Sequence, residues 1–164
     1  MQGQAPPRFA ITYDFENLAG TYMRQMPLLE DGRGFGVLTD ESMNLVLHEG
    51  RVTPPEGGAI RLDGTSMTIP DITVRGAPAD IRLRTESGLQ AALSLLDQEP
   101  FRFLSKAGIA TDIASGAARA DVSLRLPLKD RVTFEDIAFA ADGRLGDVRS
   151  DSLVRGKSLR APAL

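Results

Sequence analysis

The sequence predicts a mainly β protein, an antiparallel meander with a few short helices, and three observations carry that prediction. Apolar and polar residues alternate at period two along most of the chain, as they do in half-buried strands. The 16 Gly and 10 Pro are spread over the whole length, which suits many short elements joined by turns. Helical periodicity is sparse. Consecutive strands joined by tight turns must pair antiparallel.

Taken in order, Phe9, Ile11, Tyr13 and Phe15 alternate with Ala10, Thr12 and Asp14 and read as the first strand. A weak helix signal follows Asn17, with Leu18, Tyr22 and Met26 at four-residue spacing, stopped at Pro27. Leu45 and Leu47 mark another strand, closed by Arg51-Val52-Thr53-Pro54-Pro55-Glu56-Gly57-Gly58, a run that no strand continues through. Ile60 and Leu62 precede Asp63-Gly64, a strong hairpin signal, and Met67 and Ile69 follow it. Ile81 and Leu83 alternate with Arg82 and Arg84. Ser87-Gly88-Leu89-Gln90 has the pattern of a capping box opening a helix, with Leu89, Ala92, Leu93 and Leu96 on one face and Pro100 barring its extension. A short turn around Phe103–Lys106 ends at Gly108. Val122, Leu124 and Leu126 form the next strand. Phe134, Ile137 and Phe139 lie in the run before a second Asp-Gly at 142–143, and the segments ending in the two Asp-Gly pairs resemble each other faintly.

Composition excludes several classes of function. The 164 residues suit a single β-rich segment spanning residues 1–164, burying ~70% of its unfolded surface, with residues 1–7 expected to be flexible. A net charge of −3 offers no electrostatic reason to bind nucleic acid or an anionic membrane surface. Without Cys there are no disulfides, thiol nucleophiles or thiolate metal sites, and a single His argues against a histidine metal centre. No stretch approaches the ~18 apolar residues of a membrane-spanning helix. The N-terminus lacks the basic start and apolar core of a signal peptide.

The remaining motifs favour structure over chemistry. Gly32-Arg33-Gly34-Phe35-Gly36 lacks the Lys-Ser/Thr ending of a phosphate loop. It lacks the aromatics of an RNA-reading strand as well, and is expected to be a flexible turn before a strand. His48 sits beside Glu49, but on a strand the two would point to opposite faces, and no nucleophile elbow accompanies them. The separation of acidic pairs such as Asp14/Glu16 and Asp40/Glu41 is set by the fold and not by the sequence, and the acids as a whole are scattered among turns, where Asp is expected. The chain is therefore expected not to be an enzyme, and to need no cofactor or metal. What is left is the aliphatic alternation, which serves equally for a packed core and for the wall of an apolar groove, where each sheltered methylene is worth ~0.8 kcal/mol.

One resemblance bears on that choice. Pro100-Phe101-Arg102-Phe103-Leu104-Ser105-Lys106-Ala107-Gly108-Ile109, Gly116-x-Ala118 and Leu124-Arg125-Leu126-Pro127-Leu128-Lys129 follow a helix ending Leu95-Leu96-Asp97-Gln98. With Met26-Pro27, Gly34-Phe35-Gly36 and the 52–58 run, this resembles the AsmA-like family of Gram-negative envelope proteins, particularly its YhdP branch, over roughly residues 8–160. The resemblance implies an open, twisted, groove-like sheet. It implies a segment of a longer periplasmic protein, anchored in the inner membrane, that shields phospholipid acyl chains on their way between the inner and outer membranes and supports the outer-membrane barrier. No catalytic residue is implied. The groove lining it implies falls on Ile60, Leu62, Ile81, Leu83, Val122, Leu124, Leu126, Ile137 and Phe139. Implied partners are phospholipid, neighbouring segments of the same parent chain and envelope proteins, with no nucleic acid. The competing reading is a structural or protein-interaction module that pairs through its sheet edges.

Overall fold

The computed structural model describes residues 8–154 and 157–163, so the expectation for residues 1–7 lies outside the described residues. Nine strands form one antiparallel sheet: β1 (Ala10–Gly20), β2 (Leu29–Thr39), β3 (Met43–Val52), β4 (Ile60–Arg61), β5 (Thr65–Ile69), β6 (Pro78–Gly88), β7 (Ser115–Pro127), β8 (Ala138–Val154) and β9 (Lys157–Ala163). Their order in the sheet follows the chain, as the alternation predicts, and β4 and β5 share one position between β3 and β6. The sheet stays open. Among the described residues β1 pairs only with β2, and β9 only with β8.

Two helices interrupt the meander. Helix α1 (Leu89–Leu96) follows β6 without a loop, where the sequence places it. Its cap is not the expected one: Gly88 is the N-cap and no side chain bonds the helix end, because Ser87 is held in β6 opposite Ala118. Helix α2 (Phe103–Ala107) stops at Gly108, whose left-handed backbone ends a helix without a Cβ penalty. A single 3-10 turn (Phe134–Asp136) precedes β8.

Four local expectations are corrected. Asp63-Gly64 is not a hairpin turn, because β4 and β5 lie end to end and both pair with β3 in one constant register (Val52↔Ile60, Leu47↔Thr65). Gly64, at φ +83, forms a bulge opposite His48-Glu49, where β3 carries its own extra exposed residue. Asp142-Gly143 lies inside β8, paired with Asp121 and Ala120, since the long β7 offers both residues ladder bonds. The two Asp-Gly segments are thus not equivalent hairpins. Asn17, at φ +53, is a bulge within β1 instead of a helix start, and a loop follows Gly20. Gly32, Gly34 and Gly36 belong to β2 and are buried.

The reason for those strand glycines is steric. A Cβ on Gly36 would strike the Tyr13 ring, and one on Gly34 would sit on the Val46 carbonyl oxygen and 2.8 Å from the Phe15 ring. Two aromatic side chains of the edge strand thus lie across β2 and supply the apolar surface the glycines lack. Gly34→Ala is expected to destabilise the fold by about 3 kcal/mol, because the Val46 backbone must shift. Gly20→Ala, with nothing within 4 Å of its Cβ, should change stability little. Urea denaturation of both variants checks the contrast, and equal midpoints would contradict it.

Candidate functional site: the apolar face of the sheet

Strand register gathers the alternating aliphatics of separate strands onto one face. A single row runs Tyr13, Gly36, Leu45, Met67, Ile81, Leu124, Phe139, each opposite the next on the neighbouring strand. At the usual ~4.8 Å between strands its six steps span about 29 Å. Beside it Phe15, Gly34, Leu47 and Thr65 align, and further along Leu83, Val122 and Ala141 do so. On the other side lie Ile11, Leu38 and Met43, then Ala79 with Leu126.

Only part of this face is a core. Helix α1 covers one end: Ala91, with no exposed surface, packs with Leu47, Val52, Ile60 and Leu62. Leu89 packs with Ala114, Ala118 and Val148. The 53–59 loop straps the helix down. The Glu56 N–H donates to Ser94 Oγ at 3.2 Å, and a Cβ on Gly57 would strike the Ala91 backbone. At the opposite end Ile69, Ala77 and Ala79 close a small cluster with Met43 and Met67. Between them Leu45, Ile81, Leu83, Val122, Leu124 and Leu126 stay half-buried, while Phe139 is 50% and Ile11 53% exposed.

The nine residues expected to line a groove therefore divide. Ile81, Leu83, Val122, Leu124, Leu126 and Phe139 come together on the open middle of the face, with Ile137 buried beside them. Ile60 and Leu62 share the face but lie under α1, at 2% and 8% exposure. Tyr13, Leu45 and Met67 extend the same row beyond the residues that the resemblance implies. Their signal was the same alternation, but only the register joins them to Ile81.

An aromatic cluster borders the open middle. Phe139 contacts Phe134 at 5.8 Å between ring centroids, and Phe134 meets Phe101 and Phe103 edge-on at 5.8 and 5.6 Å. Carboxylates pin the loops carrying these rings. Asp97 accepts the Ser105 N–H at 2.7 Å, which ties α2 to the end of α1, and its hydrogen bonds with Ser105 hold its carboxyl below the usual range. Asp136 is lowered to about 2, first by the hydrogen bond from Lys129 at 2.6 Å and then by the Thr133 N–H at 2.8 Å.

The other face is polar. Arg61 and Arg119 both pair with Glu86, Arg84 with Asp121, Arg125 with Asp80, and Arg33 with Glu49. A shallow, open depression of about 680 Å3 lies between β5 and β8 among Ser66, Thr68, Arg82, Ser123 and Arg125. The open middle of the apolar face is a wall of half-buried aliphatics. His48 is exposed, with its ring against Phe35 at 5.5 Å, and among the described residues no hydrogen bond joins it to a hydroxyl or a carboxylate. No group of three acidic or histidine side chains that could hold a metal occurs among the described residues.

Comparison with family models, curated proteins and solved structures finds no match to this chain.

Truncation separates core from open wall. Ile60→Ala, under α1, is expected to cost about 3 kcal/mol. Leu124→Ala, in the half-buried row, should cost about 1 kcal/mol. Thermal unfolding of the two variants tests this, and a Leu124→Ala loss as large as that at Ile60 would place Leu124 in a closed core.

Proposed function

We propose that the open middle of the apolar face shields lipid acyl chains, and that this chain is a segment of a periplasmic, inner-membrane-anchored AsmA-like protein serving phospholipid transport to the outer membrane. The observation that supports this reading most is the seven-strand row from Tyr13 to Phe139, which carries no charged side chain and lies on one side of an open sheet. Its ~29 Å span exceeds the ~15 Å that one leaflet of acyl chain occupies in a bilayer. A single sheet shelters a chain from one side, so part of the ~0.8 kcal/mol per buried methylene is gained. The gain is non-directional and needs no polar group to position the ligand. A carrier that releases its cargo requires that kind of surface, and no catalytic group takes part.

A second reading rests on the edges. Among the described residues the 11-residue β1 pairs on one side only, leaving backbone donors and acceptors for a further strand. Neighbouring segments of the parent chain or an envelope partner would pair there by strand addition, with or without lipid.

Phospholipids bearing photoreactive acyl chains decide between the two. Adducts mapped by mass spectrometry are expected on Leu45, Met67, Ile81 and Leu124, and not on the intervening Ser66 and Ser123. Leu124→Asp should reduce the yield to background while the circular dichroism spectrum is retained. Labelling spread equally over both faces of the folded chain would reject the acyl-chain reading and leave the edge-pairing one.

A further inference from the structure

The polar face carries an open depression between β5 and β8. Across β5 to β8 the register sets Ser66, Arg82, Ser123 and Ala140 in one row, and Thr68, Asp80, Arg125 and Ala138 in the next. These eight residues, with Ile81, Leu124 and Phe139 between them along the same strands, line the depression of about 680 Å3. The two alanines of β8 make room, because longer side chains at those positions would fill it.

Charge is unevenly matched there. On β4, β6 and β7, every other arginine of this face has a carboxylate: Arg61 and Arg119 share Glu86, Arg84 has Asp121, and Arg125 has Asp80 at 3.3 Å. Arg82 has none among the described residues. Its two register neighbours are serines, Ser66 and Ser123, whose hydroxyls likewise form no hydrogen bond among the described residues. Thr68 is already engaged, donating to Asn44 Oδ1 at 2.9 Å. Around the depression two guanidiniums face one carboxylate, Asp80, which Arg125 already neutralises.

We propose that this depression binds a phosphate-type oxyanion centred on Arg82. A guanidinium presents two parallel N–H groups that match two oxygens of a phosphate. Strands ~4.8 Å apart place Ser66 and Ser123 on either side of Arg82, within reach of the remaining oxygens. The hydroxyls donate to the anion, and Arg125 balances Asp80 at the rim. Whether the phosphate is a free ion or a lipid headgroup diester, the recognising groups are the same.

The test is a titration of the isotope-labelled chain at constant ionic strength, observing the Arg82 side-chain Nε–H and the Ser66 and Ser123 amides by NMR. Inorganic phosphate is used in one arm and glycerophosphoglycerol, a soluble headgroup diester, in the other. Saturable shifts at these three residues are expected in at least one arm, and the tighter arm identifies the source. Arg82→Gln should weaken binding by about tenfold. Arg82→Lys, which keeps the charge and loses the fork, should fall between. Arg33→Gln, on β2, should bind as the unaltered chain does. Linear, unsaturated shifts in both arms, or equal loss in the Arg82 and Arg33 variants, would overturn the site.

Discussion

Everything in this molecule depends on keeping aliphatic side chains on one face of a sheet whose strands do not alternate perfectly. A single extra residue turns every later side chain to the opposite face. In β3 the inward residues are Met43, Leu45 and Leu47, and then Gly50 and Val52. Along β4, the link after it and β5 they are Ile60 and Leu62, and then Thr65, Met67 and Ile69. The change of parity occurs at facing positions, His48-Glu49 and Asp63-Gly64, so the two strands slip together and stay in register. Irregularities at Asn17 in β1 and Asp31 in β2, both with positive φ, continue the line toward the edge. Bulges bend a strand and increase its twist. Here they form a crease across four neighbouring positions, and the apolar surface passes through it unbroken.

This crease also explains what was legible in the sequence. The fold class, the positions of β1, β3, β6 and β7, and both helices followed from period-two alternation and from Pro100 and Gly108. Asp63-Gly64 misled because Asp, Asn and Gly tolerate left-handed backbone in a bulge as readily as in a hairpin turn. Only the partner strand tells them apart. The Gly32–Gly36 run resembled a turn because a strand built on glycine needs apolar surface from elsewhere, and Tyr13 and Phe15 supply it across the sheet. The candidate site was half legible. Alternation marked Ile81, Leu83, Val122 and Leu124, but the same signal marked Ile60 and Leu62, which α1 covers. A covered and an open aliphatic face have the same sequence pattern, and what differs is where one short helix lands.

Its two faces give the sheet two kinds of chemistry. The apolar side is locked at both ends, by α1 with its 53–59 strap and by the Ile69–Ala79 cluster, and is open between them. The polar side is held by cross-strand ion pairs between exposed groups, each worth little alone. There Arg82 has no carboxylate partner among the described residues, unlike Arg61, Arg84, Arg119 and Arg125, and its row meets β8 at Ala140.

Whether the apolar row carries lipid is read most directly from paramagnetic broadening of methyl signals by a phospholipid carrying a nitroxide on its acyl chain. Strong broadening is expected at Leu45, Met67, Ile81, Leu83 and Leu124, with clearly weaker effects at Ile60 and Leu62 beneath α1 and at Ala140 on the polar face. Broadening that is absent from the row, or as strong at Ala140 as at Leu124, would contradict the claim that this face carries lipid.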